Sequence, residues 1–90
     1  MANISIDRVW PKIVAHAGED FHQKRGKVFT YTTGHGGARP STTNQFLPRN
    51  QFEKALARMP TEGPGALQDL RGPSYLWAIL MDDRIRRRDW

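Results

Sequence analysis

The sequence predicts an α+β domain built as an N-terminal helix, a β-hairpin, then two helices packed on the hairpin. Three observations predict it. Apolar residues recur at spacings of three and four near both ends of the chain, which is the period of an amphipathic helix. Between them, Lys27 to Thr33 is a run of β-branched and aromatic residues of the kind that suits a pleated strand. The cluster Gly34-His35-Gly36-Gly37 follows at once and supplies the positive φ angles that a tight hairpin turn demands.

In the first segment, Ile6, Val9, Trp10, Ile13 and Val14 fall on one helical face, and Gly18 stands as the C-terminal stop. Pro11 interrupts this pattern, because an interior proline removes a helix hydrogen bond; the helix either begins near Trp10 or is kinked there. After the hairpin turn a second strand returns through Ala38 to Ser41. Pro40 cannot donate to a ladder, which places that strand at a sheet edge, with a broken continuation to Phe46-Leu47. Asn50-Gln51-Phe52-Glu53 has the form of a capping box and predicts a helix starting at Gln51, with Phe52, Ala55, Leu56 and Met59 on its buried side and Pro60 at its end. A turn over residues 61–65 leads to a short helical piece from Ala66 to Leu70, and Gly72-Pro73 opens the last helix, whose stripe is Tyr75, Leu76, Ile79 and Leu80. The largest apolar stripes should meet, packing Leu76, Ile79 and Leu80 against Val9, Ile13, Phe29 and Phe52.

Ninety residues suffice for one core and no more, so residues 1–85 are expected to form a single domain, with 86–90 as a basic tail. The absence of cysteine rules out disulfides and thiolate metal sites, Met1 to Trp10 is mixed and lacks the apolar stretch behind a basic start that a signal peptide needs, and the longest apolar run, Tyr75 to Met81, is too short to span a bilayer. A soluble, cytoplasmic protein without a membrane partner is the expectation. The net charge of +5 raises affinity for polyanions.

Enzymatic readings lack their reactive groups. His16, His22 and His35 are not spaced as zinc ligands, Gly34 to Arg39 lacks the lysine and Ser/Thr order of a phosphate-binding loop, and the adjacent Asp82-Asp83 diverge on a helix and are better read as its end. The sequence therefore predicts no catalytic residue, no metal and no cofactor. Binding requires less. The stretch Arg39-Pro40-Ser41-Thr42-Thr43-Asn44-Gln45 is dense in groups that hydrogen-bond phosphates and base edges, and it runs toward a helix N-terminus. Arg39, Ser41, Thr43, Asn44 and Arg49 are the expected contact loop, with Lys27, Lys54 and the tail arginines neutralising phosphate and His35 at the hairpin tip as a further contact. The competing reading of the same hydroxyls and amides is turn chemistry in an exposed loop.

The run from Arg39 to Asn44, with Leu47-Pro48-Arg49 and Phe52 to Leu56 after it, resembles small helix-plus-hairpin, winged-helix-like modules of bacterial DNA-binding and defence-associated proteins. The resemblance covers about a quarter of the chain and implies DNA contact by the hairpin and the following helix, although the usual wing follows its recognition helix. Leu70 to Leu80 is similar to the second half of a helix-hairpin-helix motif but lacks the paired glycines of its hairpin, which favours a buried helix opened by Gly-Pro. The resulting expectation is a non-enzymatic nucleic-acid-binding module with DNA as partner. Its rival is a protein-interaction module, an inhibitor or small subunit of a bacterial or phage complex, whose basic face meets an acidic protein.

Overall fold

The structure, a computed structural model, describes residues 4–90. Helix α1 spans Ile6–Ala15 and starts where Ser5 Oγ accepts a hydrogen bond from the Asp7 amide at 3.1 Å. Asp7 in the first turn complements the helix dipole. With that cap in place the helix runs through Pro11, which is exposed and forfeits one hydrogen bond, so the start is four residues earlier than Trp10. Ile6, Val9 and Ile13 are buried, whereas Val14, expected on the same face, is 44% exposed. Gly18, at φ +90°, turns the chain away, and its amide donates to the Tyr31 carbonyl at 2.9 Å.

Five short strands follow in two antiparallel sheets: β1 Phe21–His22 with β2 Val28–Phe29, and β3 Tyr31–Gly34, β4 Gly37–Pro40 and β5 Leu47–Pro48 in the order β3-β4-β5. The single strand expected over Lys27 to Thr33 thus breaks at Thr30. There the backbone leaves the ladder with Phe21 and exchanges bonds with Ser41: Thr30 N–H donates to Ser41 Oγ at 3.0 Å and the Ser41 amide to the Thr30 carbonyl at 2.8 Å. Phe29 and Tyr31, two residues apart, both point inward across the break, with Phe21 packed against each at centroid distances of 6.1 and 5.1 Å.

The hairpin turn is made by His35 and Gly36, with φ of 54° and 77°, the two successive left-handed residues of a mirror-image turn. Strand β4 is central in its sheet, not at an edge. Pro40 is tolerated because β5 pairs only with Gly37 and Ala38, which leaves Pro40 beyond the third strand.

Helix α2, Arg49–Leu56, opens without the expected capping box. Pro48 is its N-cap, no side chain caps it, and Asn50 lies inside the helix, because the Arg49 amide donates to the Gly36 carbonyl at 2.8 Å and ties the helix to the hairpin tip. A 3₁₀ turn, Pro64–Leu67, stands in place of the helical piece expected over Ala66 to Leu70 and buries Leu67. Helix α3, Pro73–Leu80, begins at Gly72-Pro73 as the sequence predicts; Gly72 is left-handed at φ +59°, and a Cβ there would lie 2.7 Å from Leu47 Cδ2.

The two aspartates, expected to end a helix, instead start one, since α3 already closes at Leu80 with Met81 as its C-cap. Asp82 caps helix α4, Asp83–Arg86, accepting the Arg84 amide at 2.9 Å, and α4 buries Ile85. The segment read as a basic tail is packed: Trp90 is 8% exposed, and its Nε1 donates to the Leu80 carbonyl at 2.8 Å. All seven residues expected to form the core are at most 2% exposed and belong to one cluster. Within it Tyr31 Oη donates to the Ile13 carbonyl at 2.5 Å, and burial raises the phenol pKa. Among the described residues no helix is long and apolar enough to cross a membrane.

Candidate functional site

Alternation along the three-stranded sheet sorts its residues. Tyr31, Ala38 and Leu47 are buried against the core, so Thr32, Arg39 and Phe46 belong to the opposite face. Register sets them side by side: Thr32 pairs with Arg39, and the β4–β5 register carries Phe46 to the far side of Arg39. The next row is Gly34, Gly37 and Pro48.

Gly37 is the floor on which Phe46 rests. A Cβ at Gly37 would come within 2.5 Å of Phe46 Cζ and 2.4 Å of the Leu47 carbonyl oxygen, so only glycine lets the ring lie this close to the sheet. Phe46, Arg39, Thr32, Thr33, Gly34 and His35 line an open groove of about 250 Å³. That is smaller than the roughly 300–1,000 Å³ usual for enclosed small-molecule sites. Arg71 does not line the groove but comes beside it, to the Phe46 backbone, from the turn before α3: its amide is held by Gln51 Oε1 at 2.9 Å, and its guanidinium makes a long hydrogen bond to the Phe46 carbonyl at 3.5 Å.

The sequence-predicted contacts divide. Arg39 and His35 line the groove, and both are exposed. Ser41 Oγ is engaged by the Thr30 amide, and Thr43 Oγ1 accepts from the Gln45 amide at 3.2 Å, so both hydroxyls serve the loop's own backbone. Thr42 Oγ1 bonds Tyr75 Oη at 2.7 Å and fastens the loop to α3. Asn44 is exposed. The Arg49 guanidinium is paired with the Asp7 carboxylate of α1. Lys54 projects from the exposed side of α2, and Lys27 lies before β2; neither lines the groove. Phe46, Arg71 and Thr32 were not singled out from sequence. Thr32 was within reach, since a two-residue turn at His35-Gly36 sets it opposite Arg39. Phe46 and Arg71 depend on a third strand and on a distant turn.

Elsewhere several cations are committed to ion pairs. Arg84 is the most heavily bonded: Nε and Nη2 reach Asp82, Nη1 reaches Glu19 Oε1 at 2.9 Å, Nη2 also donates to the Asp20 carbonyl, and the guanidinium carbon stands 4.0 Å from the Phe21 ring centroid. Hydrogen bonds to Asp82 and Glu19 hold Arg84 above the ordinary arginine range. Partial burial works to raise the Asp82 pKa, but hydrogen bonds from the Arg84 side chain and backbone outweigh it and hold the carboxyl below its usual value. Glu19 is lowered by hydrogen bonds from His16 and Arg84. Lys12 pairs with Asp89 at 3.1 Å, and Arg58 with Asp69 through a two-pronged contact at 2.5 and 2.8 Å that lowers the Asp69 pKa to about 2.

Among the described residues, the cations outside ion pairs fall mainly into three groups: Arg39 with Arg71 at the sheet, Lys24, Arg25 and Lys27 at the β1–β2 turn, and Arg86 to Arg88 at the C-terminus. Only the first has a cation, Arg39, lining a groove together with an aromatic ring, Phe46, whose carbonyl Arg71 bonds. No three of His, Asp and Glu converge as a metal-ligand set among the described residues.

Compared with known proteins, the chain matches no family model, no curated protein and no solved structure.

Proposed function

We propose that the chain is a non-enzymatic nucleic-acid-binding module whose contact surface is the outer face of the β3–β5 sheet. One observation carries this reading: Arg39 and Arg71, neither in an ion pair among the described residues, flank Phe46 over a glycine floor, with His35 at the rim. Guanidinium groups supply charge-assisted hydrogen bonds to phosphate, and Gly37 lets the Phe46 ring lie close against the sheet. The helix-plus-hairpin resemblance around Arg39 to Leu56 points to the same region, with the contact residues shifted from the loop hydroxyls to the strands.

The test is fluorescence anisotropy with labelled DNA and RNA oligonucleotides at low ionic strength, repeated across a salt series. Binding should be salt-sensitive, and Arg39→Ala should weaken it while the melting curve stays in place. If affinity is independent of salt, or wild type binds no oligonucleotide, the basic surface has another partner and an acidic protein becomes the better reading.

A further inference from the structure

We infer that the groove takes single-stranded nucleic acid, with an unpaired base stacked against Phe46 and the flanking phosphates held by Arg39 and Arg71. This rests on the nucleic-acid reading above and adds the substrate class. Two observations carry it, one positive and one by elimination.

The positive observation is an aromatic side chain placed where it would otherwise be spared. Phe46 is half-buried, rests on Gly37 and lines the groove together with Arg39 and the Thr32 hydroxyl, while the residues on either side of it, Gln45 and Leu47, are exposed and buried respectively. An aromatic ring bordered by arginines gains little from the edge of a closed duplex, whose base faces are already stacked on each other. A splayed-out base offers its π-face, and stacking tolerates any base. The groove, at about 250 Å³, has room for one flat ring.

The elimination concerns the helices. Duplex readers usually lay a basic helix in the major groove. On α2, Arg49 is tied to Asp7, which leaves Lys54 as its one cation outside an ion pair among the described residues. On α1, Lys12 is bound to Asp89, which leaves Arg8 as its one cation outside an ion pair among the described residues. Helix α3 contains no charged residue, and α4 spends Arg84 on Asp82 and Glu19 and Arg86 on a hydrogen bond to the Trp90 backbone oxygen. No helix therefore presents a basic face, and the free cations beside an aromatic lie on strands and a turn.

The experiment compares four probes of equal length by anisotropy: oligo-dT, oligo-U, an abasic strand that keeps every phosphate, and a mixed-sequence duplex. Two variants accompany wild type, Phe46→Leu, which keeps apolar bulk without a π-system, and Phe46→Tyr, which restores the ring; circular dichroism melts establish that both fold. The inference expects oligo-dT or oligo-U to bind at least about tenfold tighter than the abasic strand and the duplex. Phe46→Leu should lose about 5- to 100-fold on the base-bearing strands, little on the abasic one, and Phe46→Tyr should recover most of the loss. DNA and RNA strands distinguish the two sources of the base, and preference for either supports the inference. Equal affinity for abasic and base-bearing strands, or tighter binding to duplex, overturns the stacked single strand while leaving salt-sensitive nucleic-acid binding standing. Absence of binding to all four probes overturns both.

Discussion

The outer face of the β3–β5 sheet and the corner formed by α1, α4 and the C-terminus both combine arginine with aromatic rings, yet they use them in opposite ways. At the corner Arg84 lies over Phe21 and is surrounded by acceptors from Asp82, Glu19 and Asp20, while Lys12 pairs with Asp89 and Trp90 is buried. The charges of Arg84 and Lys12 are neutralised within the fold there, whereas Arg87 and Arg88 beside them stay outside ion pairs among the described residues. At the sheet, Arg39 and Arg71 flank Phe46 with no carboxylate partner among the described residues. The same residue types are structural glue in one place and an open surface in the other. Net charge is a property of the whole chain, whereas availability for a partner depends on which cations the fold leaves unpaired.

The comparison can be broken most forcefully at the corner. Trp90→Ala should lower stability by about 3–5 kcal/mol in a denaturant melt, since it removes a buried indole and orphans the Leu80 carbonyl. A chain end that is merely a cationic anchor would show no change. At the sheet the counterpart is Gly37→Ala, expected to cost about 1–3 kcal/mol, because the added methyl collides with the Phe46 ring and the Leu47 carbonyl. A neutral effect would mean that Phe46 does not rest on the sheet.

Substituting arginines sharpens the contrast. Arg84→Met should destabilise the fold by about 1–2 kcal/mol through lost charged hydrogen bonds and the contact with Phe21. Arg39→Met should stay within about 0.5 kcal/mol of wild type, as befits an exposed side chain with no ion-pair partner. Equal losses at both positions would erase the distinction.

Acid titration gives a smaller effect on the committed charges. Asp69, lowered from 3.8 to about 2 by Arg58, and Glu19, lowered from 4.5 by His16 and Arg84, favour the folded state when ionised. Their contribution is fully present above those unfolded values and is lost as pH falls from about 4.5 toward about 2. Both carboxylates are exposed, so the effect is modest and weakens with salt. Thermal melts of Glu19→Gln should show a shallower decline below pH 4.5 than wild type; an unchanged slope would remove Glu19 from the network.

Much of the fold was legible because local chemistry and packing agree. The stripe of α3, its Gly72-Pro73 start and the His35-Gly36 turn each follow from residue types that admit few alternatives. What was not legible depends on contacts far apart in sequence. The Asn50–Glu53 capping box lost to a backbone bond from Arg49 to the hairpin tip, and the strand through Thr30 broke because Ser41 offers that residue its partners. The candidate site divides in the same manner. Arg39 and His35 could be named from a glycine-rich hairpin, but Ser41, Thr43 and Arg49 were already engaged by backbone amides and Asp7, and Phe46 and Arg71 become neighbours only once β5 and α3 are in place.

The central claim is that the sheet face, and not the arginine-rich C-terminus, holds the cations that meet a polyanion. Its most direct test is the slope of log affinity against log salt for oligo-dT binding by wild type, Arg39→Ala/Arg71→Ala and Arg87→Ala/Arg88→Ala. Both pairs remove the same net charge. The sheet-face pair should flatten the slope by about 1.4, at roughly 0.7 per phosphate contact on a single strand, and the C-terminal pair should leave it nearly unchanged. The opposite pattern, with the C-terminal pair flattening the slope and the sheet-face pair leaving it intact, would contradict the account.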